Sequence, residues 1–120
     1  MTFSRLPLLL LASAALAFGQ VEFFHVTDTH VLDFTGIHPS IADQRKHLNS
    51  SSANLQALIA SLNAAPPAFV LITGDLIDGI SFQGAAGDTR AGQIENFTRI
   101  VAASPVPVYL VLGNHDVQRY

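Results

Sequence analysis

The chain has 120 residues, a length that suits a single domain. Six basic residues against nine acidic ones give a formal net charge of −3, without the basic patch that would bind nucleic acid or an anionic membrane. The sequence contains no cysteine, which excludes disulfides and thiolate ligands for a metal. Any metal site must therefore use oxygen and nitrogen donors.

The first 19 residues have the pattern of a secretory signal peptide. Arg5 supplies the charged start, residues 6–16 form an apolar stretch, and residues 17–19 provide a small-x-small cleavage site before Gln20. The apolar stretch is about half of the ~20 residues that a spanning helix needs, so an uncleaved anchor is the less favoured alternative. We predict that residues 1–19 are removed and that the mature chain is exported to the periplasm or the cell exterior, with no stable membrane span.

Three apolar runs predict β-strands at residues 21–28, 68–75 and 107–116. Their sequences are VEFFHVTD, AFVLITGD and PVYLVLGNHD, which are rich in Val, Ile, Leu and aromatic residues. Each run is nearly continuous rather than alternating between apolar and polar residues. That pattern is typical of strands covered on both faces in a parallel sheet.

Apolar residues at helical spacing predict two helices, one between each pair of successive strands. In residues 50–65 they recur at i, i+3, i+4 and i+7, and residues 91–104 carry a second such stripe. Pro66 and Pro105 end the two segments, because proline cannot continue a helix. The order β-α-β-α-β predicts an α/β fold in which two right-handed crossovers build a parallel sheet.

Chemically versatile side chains follow each predicted strand. Asp28 ends the first run and His30 follows it, Asp75 ends the second run, and Asn114 lies near the end of the third. Ligands of open α/β sheets bind at the carboxyl ends of the strands, and in extended chain Asp28 and His30 would leave on the same face. Oxygen and nitrogen donors favour Mg, Mn, Fe or Zn, and one carboxylate can bridge two ions about 3.5–4 Å apart. The sequence thus predicts a metal site at this edge.

Three short motifs carry a family resemblance. The chain contains D-x-H at residues 28–30, G-D-x-x-D at residues 74–78 and G-N-H-D at residues 113–116, each closing a predicted strand. In this order they resemble the motifs of the calcineurin-like metallophosphoesterases. The resemblance implies that residues 20–120 are the N-terminal part of such a domain, the parallel-sheet half of an α/β/β/α sandwich.

The same resemblance assigns a metal-binding role to four residues. Asp28 and His30 correspond to ligands of a first divalent cation. Asp75 corresponds to the carboxylate that bridges two cations, and Asn114 to a ligand of the second. The resemblance leaves the identity of the cations open among Mn, Fe, Zn and Mg.

The resemblance also implies an enzyme that hydrolyses phosphate mono- or diesters. A hydroxide bridging the two cations would attack phosphorus in line with the leaving oxygen. His115 corresponds to the catalytic histidine, and we expect Asp116 to orient its ring. Asp78 matches the motif but is expected to be structural rather than a ligand.

The family pattern continues with a further His and a G-H-x-H motif, which do not occur after residue 116. We therefore expect the chain to be truncated, lacking the C-terminal half of its own domain and inactive by itself. The alternative is a non-catalytic half-domain that binds a metal or an anion, or a truncated inactive product. A nucleotide-binding βαβ module is disfavoured, because no glycine fingerprint is present.

Three other histidines receive simpler interpretations. His25 lies inside the first predicted strand, where a packed or hydrogen-bonded residue is expected. His38 and His47 lie in predicted loop sequence and are expected to be solvated. Nothing in their spacing connects them with the metal motifs.

Overall fold

A computed structural model describes residues 19–32, 46–79 and 90–117. The predicted signal peptide lies outside these ranges except for Gly19, so its cleavage and the export of the chain stay predictions. His38 also lies outside them. Within the described ranges, no helix is long and apolar enough to cross a membrane.

Three parallel strands form one sheet in the order in which they occur along the chain. Strand β1 covers Phe23–Thr27, β2 covers Phe69–Thr73 and β3 covers Val108–Val111. The central strand pairs with both neighbours, and Leu71 stands opposite His25 on one side and Tyr109 on the other. The predicted β-α-β-α-β arrangement with a parallel sheet is confirmed.

Helices fill the crossovers. Helix α1 covers Ser51–Ser61 and follows a short 3-10 helix at Lys46–Leu48, and α2 covers Arg90–Val101. A single turn of helix, α3, covers Asn114–Val117 directly after β3. Both crossovers run in the same direction along the sheet, and crossovers between parallel strands are almost always right-handed, which places both helices on one face. Helices α1 and α2 accordingly contact each other.

The core lies between these two helices and the central strand. The two buried side chains of β2 point toward the helices and alternate with half-buried ones on the other face. The buried core residues are Val31, Leu55, Ile59, Leu62, Val70, Ile72, Leu76, Ile77, Phe97 and Ile100. Three of them, Val31, Leu76 and Ile77, belong to the segments that carry the sequence motifs, so the core fixes the base of the candidate site directly.

The opposite face of the sheet is apolar and open. Phe23 stacks on Phe69 with ring centroids 4.8 Å apart, and Tyr109 meets Phe69 edge-on at 5.5 Å. Tyr109 remains 56% exposed and Val111 51% exposed. The continuous apolar runs predicted cover on both faces, but within the described part of the chain both helices lie on one face, for the topological reason given above.

Leu62, at the C-terminal end of α1, provides a test of the core. Its side chain is fully buried, so we expect Leu62→Ala to lower the free energy of unfolding by about 2–5 kcal/mol. Leu110→Ala is the matched control, because Leu110 is 46% exposed and should cost about 1 kcal/mol or less. Urea denaturation measures both, and equal losses would contradict the position of the core.

Candidate metal centre

The first two motifs are held side by side by a continuation of the β1–β2 pairing. The Asp28 N–H donates to the Thr73 carbonyl at 3.0 Å, and the His30 N–H donates to the Asp75 carbonyl at 2.9 Å. Farther on, Val31 and Ile77 form an isolated parallel bridge. The backbone of D-x-H therefore runs along that of G-D-x-x-D at the carboxyl edge of the sheet.

Two of the predicted ligands have an unusual backbone conformation. Asp28 has φ 53° and His30 has φ 39°, both in the left-handed region that non-glycine residues seldom adopt. Such conformations cost free energy and collect at functional sites, where the surrounding structure holds them. The expectation that these two residues are extended is wrong, because a left-handed φ is not an extended conformation.

Three of the four predicted metal ligands nevertheless converge. Asp28, His30 and Asp75 each offer one ligand atom, and these atoms lie within 4.8 Å of one another. The His30 Nε2 and the Asp75 Oδ2 are 3.5 Å apart, longer than the 2.7–3.2 Å of a hydrogen bond. Two ligands that each bind one cation at about 2.0–2.2 Å stand about 3–4 Å apart, so this spacing fits a shared cation.

Asn114, the fourth predicted ligand, is exposed at the start of α3. It lies between Gly113, which packs on Asp75, and His115, whose backbone N–H donates to the Asp75 Oδ1 at 2.9 Å. The backbone of Asn114 therefore lies beside the cluster of Asp28, His30 and Asp75.

Asp78 lies between His30, one of the predicted metal ligands, and His115, a role that the sequence did not predict. It is fully buried, and its Oδ1 lies 3.5 Å from the His30 Nδ1 and 3.9 Å from the His115 Nδ1. The His30 Nδ1 is buried and makes no hydrogen bond with any described residue. When a histidine binds metal through one nitrogen, the other commonly faces a carboxylate, and Asp78 is placed for that function. In the sequence, this role could have been inferred from the position of Asp78 as the second aspartate of the G-D-x-x-D motif.

His115 is held by the backbone of Asp78. The His115 Nδ1 lies 2.6 Å from the Asp78 carbonyl oxygen, which can only accept a hydrogen bond. Nδ1 of the neutral ring therefore carries the proton, and Nε2 is left to exchange a proton with a ligand. The ring stands edge-on to that of His30, with centroids 4.9 Å apart. The predicted catalytic residue thus lies next to the predicted metal ligands.

Asp116 does not orient His115 as predicted. Its carboxylate accepts hydrogen bonds from the backbone N–H groups of Leu76 and Ile77 at 3.0–3.1 Å and of Gly113 at 2.7 Å. The His115 Nδ1, whose hydrogen bond determines the tautomer of the ring, faces the Asp78 carbonyl instead. Neighbouring residues in a helical turn point in different directions, which separates the Asp116 carboxylate from the His115 ring. Asp116 serves to tie the G-N-H-D segment to the G-D-x-x-D segment.

Two glycines permit the close approach of these segments. A Cβ at Gly113 would collide with the backbone nitrogen and the carboxylate of Asp75. A Cβ at Gly79 would collide with the carbonyl of His115, and Gly79 also has φ +70°, where glycine has no steric penalty. Both positions therefore require glycine for the third motif to reach the second.

The remaining histidines are placed as expected where they are described. His25, in β1, hydrogen-bonds through its Nε2 to the Thr73 Oγ1 at 2.8 Å. His47 is exposed in the 3-10 helix. Neither contributes a ligand atom to the cluster of Asp28, His30 and Asp75 or to a second cluster of ligand atoms within 4.8 Å of one another, which belong to His30, Asp78 and His115.

Comparison with known proteins identifies the family. A model of the calcineurin-like phosphoesterases matches residues 21–120, which include all three motifs. Searches of curated proteins and of solved structures returned no match. The family match spans most of the chain, and the motifs meet at the edge of a parallel α/β sheet as the sequence predicted. The chain is a member of the calcineurin-like phosphoesterase family.

Proposed function

We propose that the complete protein hydrolyses phosphate mono- or diesters with two bound divalent cations. The observation that carries the proposal is the convergence of Asp28, His30 and Asp75, whose ligand atoms lie within 4.8 Å of one another. The family match supports the phosphoester substrate. The identity of the cations stays open among Mn, Fe, Zn and Mg, all of which suit oxygen and imidazole donors.

Asp28 and His30 would hold one cation, Asp75 would bridge to the other, and Asn114 would supply an amide oxygen to the second. When bound, the cations supply a water of lowered pKa and neutralise charge on the phosphoryl oxygens. Asp75 is suited to the bridging place because its side chain is only 12% exposed and its carboxylate contacts both His30 and the backbone of His115. These contacts hold the carboxylate in its place within the cluster.

His115 would act as the general acid. As the P–O bond to the leaving group breaks, the leaving oxygen would take the Nε2 proton of a doubly protonated His115 ring, which is left as the neutral ring with its proton on Nδ1. The opposite nitrogen, Nδ1, faces both the carbonyl and the carboxylate of Asp78, which hold the ring in one orientation. Asp78 would therefore orient His115 and His30 together without contacting substrate.

Removal of metal tests this proposal. We expect chelation with EDTA to abolish hydrolysis of p-nitrophenyl phosphate or bis(p-nitrophenyl) phosphate by the full-length protein, and added Mn²⁺ to restore it. Mn²⁺ at 100 times its dissociation constant should also stabilise the folded state by about 2.7 kcal/mol.

Calorimetry and thermal melts measure the binding separately from turnover. Mn²⁺-dependent stabilisation without hydrolysis of either ester would favour a metal-binding protein that is not an enzyme. Hydrolysis that survives chelation would contradict the role given to the three convergent residues.

A further inference from the structure

Helix α2 contacts both of the segments that position His115. Arg90 and Gln93 are three residues apart and so lie on one face of the helix. Gln93 is fully buried, and its Oε1 accepts a hydrogen bond from the Gly79 N–H at 2.8 Å. The Arg90 guanidinium donates to the carbonyl oxygen of Asp116. One face of α2 thus reaches the ends of the second and third motifs.

Each contact lies one residue away from a group that sets the His115 ring. Gly79 follows Asp78, whose carbonyl accepts the bond from the His115 Nδ1. Asp116 follows His115 itself. Gly79 also packs against the carbonyl of His115, so a shift of either segment is transmitted to the other.

We propose that Arg90 and Gln93 are positioning residues, which keep the Asp78 carbonyl oxygen and the His115 ring at hydrogen-bonding distance from each other. Loss of the Gln93 acceptor leaves the buried Gly79 N–H without this partner and releases the backbone on which Asp78 sits. The catalytic consequence rests on the proposed function, whereas the effect on the ring does not. Outer partners of this kind typically change activity by about 10- to 100-fold when they are removed.

The first test is Gln93→Met in the full-length protein, which keeps the length of the side chain and removes the hydrogen bond. Gln56→Met is the matched control, because Gln56 is exposed on α1. NMR of ¹⁵N-labelled histidine at about pH 8, assigned with a His115→Gln variant, reports which ring nitrogen carries the proton. We expect the Nδ1–H tautomer of His115 in the unsubstituted protein and in Gln56→Met, and a mixture of tautomers in Gln93→Met.

The kinetic expectation is a fall in kcat of about 10- to 100-fold for Gln93→Met with a change in KM of less than about threefold. A purely structural role would lower the melting temperature and leave the tautomer unchanged, which would overturn the proposal. If the full-length protein hydrolyses no phosphoester, the proposed function fails, and the NMR measurement still decides the positioning role.

A second pair of variants guards against misfolding of Gln93→Met. Arg90 is half-buried, so Arg90→Gln removes the contact to Asp116 without opening the core, and the exposed Arg99→Gln on the same helix is its control. We expect Arg90→Gln to broaden the His115 tautomer distribution and to lower kcat about tenfold, with Arg99→Gln within twofold of the unsubstituted protein. Identical behaviour of the two arginine variants would overturn the proposal.

Discussion

Asp75→Asn is expected to abolish turnover while leaving the protein folded. The Asp75 Oδ2 lies 3.5 Å from the His30 Nε2, and its Oδ1 accepts the backbone N–H of His115. An asparagine retains one oxygen for the His115 N–H, but it is neutral and cannot bridge two cations. A loss on the order of 4 kcal/mol of transition-state stabilisation corresponds to about a thousandfold lower kcat.

The measurement for Asp75→Asn combines steady-state hydrolysis of bis(p-nitrophenyl) phosphate with calorimetric titration of Mn²⁺. We expect weaker metal binding and a normal melting temperature in the absence of metal. Glu95→Gln is the matched control, since Glu95 is an exposed acid on α2 and its conversion to the amide should change neither quantity. Retention of both metal affinity and turnover in Asp75→Asn would exclude the bridging role.

His115→Gln is expected to lower kcat by about 10²- to 10⁴-fold, the range for loss of a general acid. Metal affinity should change little, because the cluster of Asp28, His30 and Asp75 does not include His115. The glutamine amide can still donate to the Asp78 carbonyl, so the segment should keep its place.

The control for His115→Gln is His47→Gln, because His47 is exposed in the 3-10 helix outside the two ligand clusters. Its kcat should stay within about twofold of the original value. A parallel loss of Mn²⁺ affinity and of turnover in His115→Gln would show that His115 binds metal, together with His30 and Asp78, and does not act as the acid. Tight metal binding with loss of turnover supports the proposed role.

The sheet and the convergence of the three motifs were predictable, because both follow from rules that act along the sequence. Continuous apolar runs identify buried parallel strands, and parallel strands bring their carboxyl ends to one edge. These rules place Asp28, His30 and Asp75 near one another, whereas their individual roles as metal ligands were assigned from the resemblance of the three motifs. The cover of the second sheet face was not predictable in the same way, since the face on which each right-handed crossover lies depends on the order of the strands in the sheet.

The residue that orients His115 was predicted wrongly from the sequence, since Asp78 and not Asp116 faces its ring. Asp116 is adjacent to His115 in the sequence, which made it the obvious partner, but adjacent residues in α3 do not face each other. Asp78 is remote in sequence and reaches His115 only after β2 and β3 have paired. The left-handed backbone of Asp28 and His30 was equally hidden, because it is imposed by long-range hydrogen bonds to Thr73 and Asp75.

The carboxylate of Asp116 joins segments that are about forty residues apart in the chain, through backbone donors at Leu76, Ile77 and Gly113. Closing so long a loop costs entropy that local contacts cannot repay, so this junction forms only once the sheet has assembled. Asp75 receives its bond from His115 at the same junction. Under the proposed function, a cation would therefore bind only after the sheet has formed, and metal affinity would report the completion of the whole sheet rather than the order of any one segment.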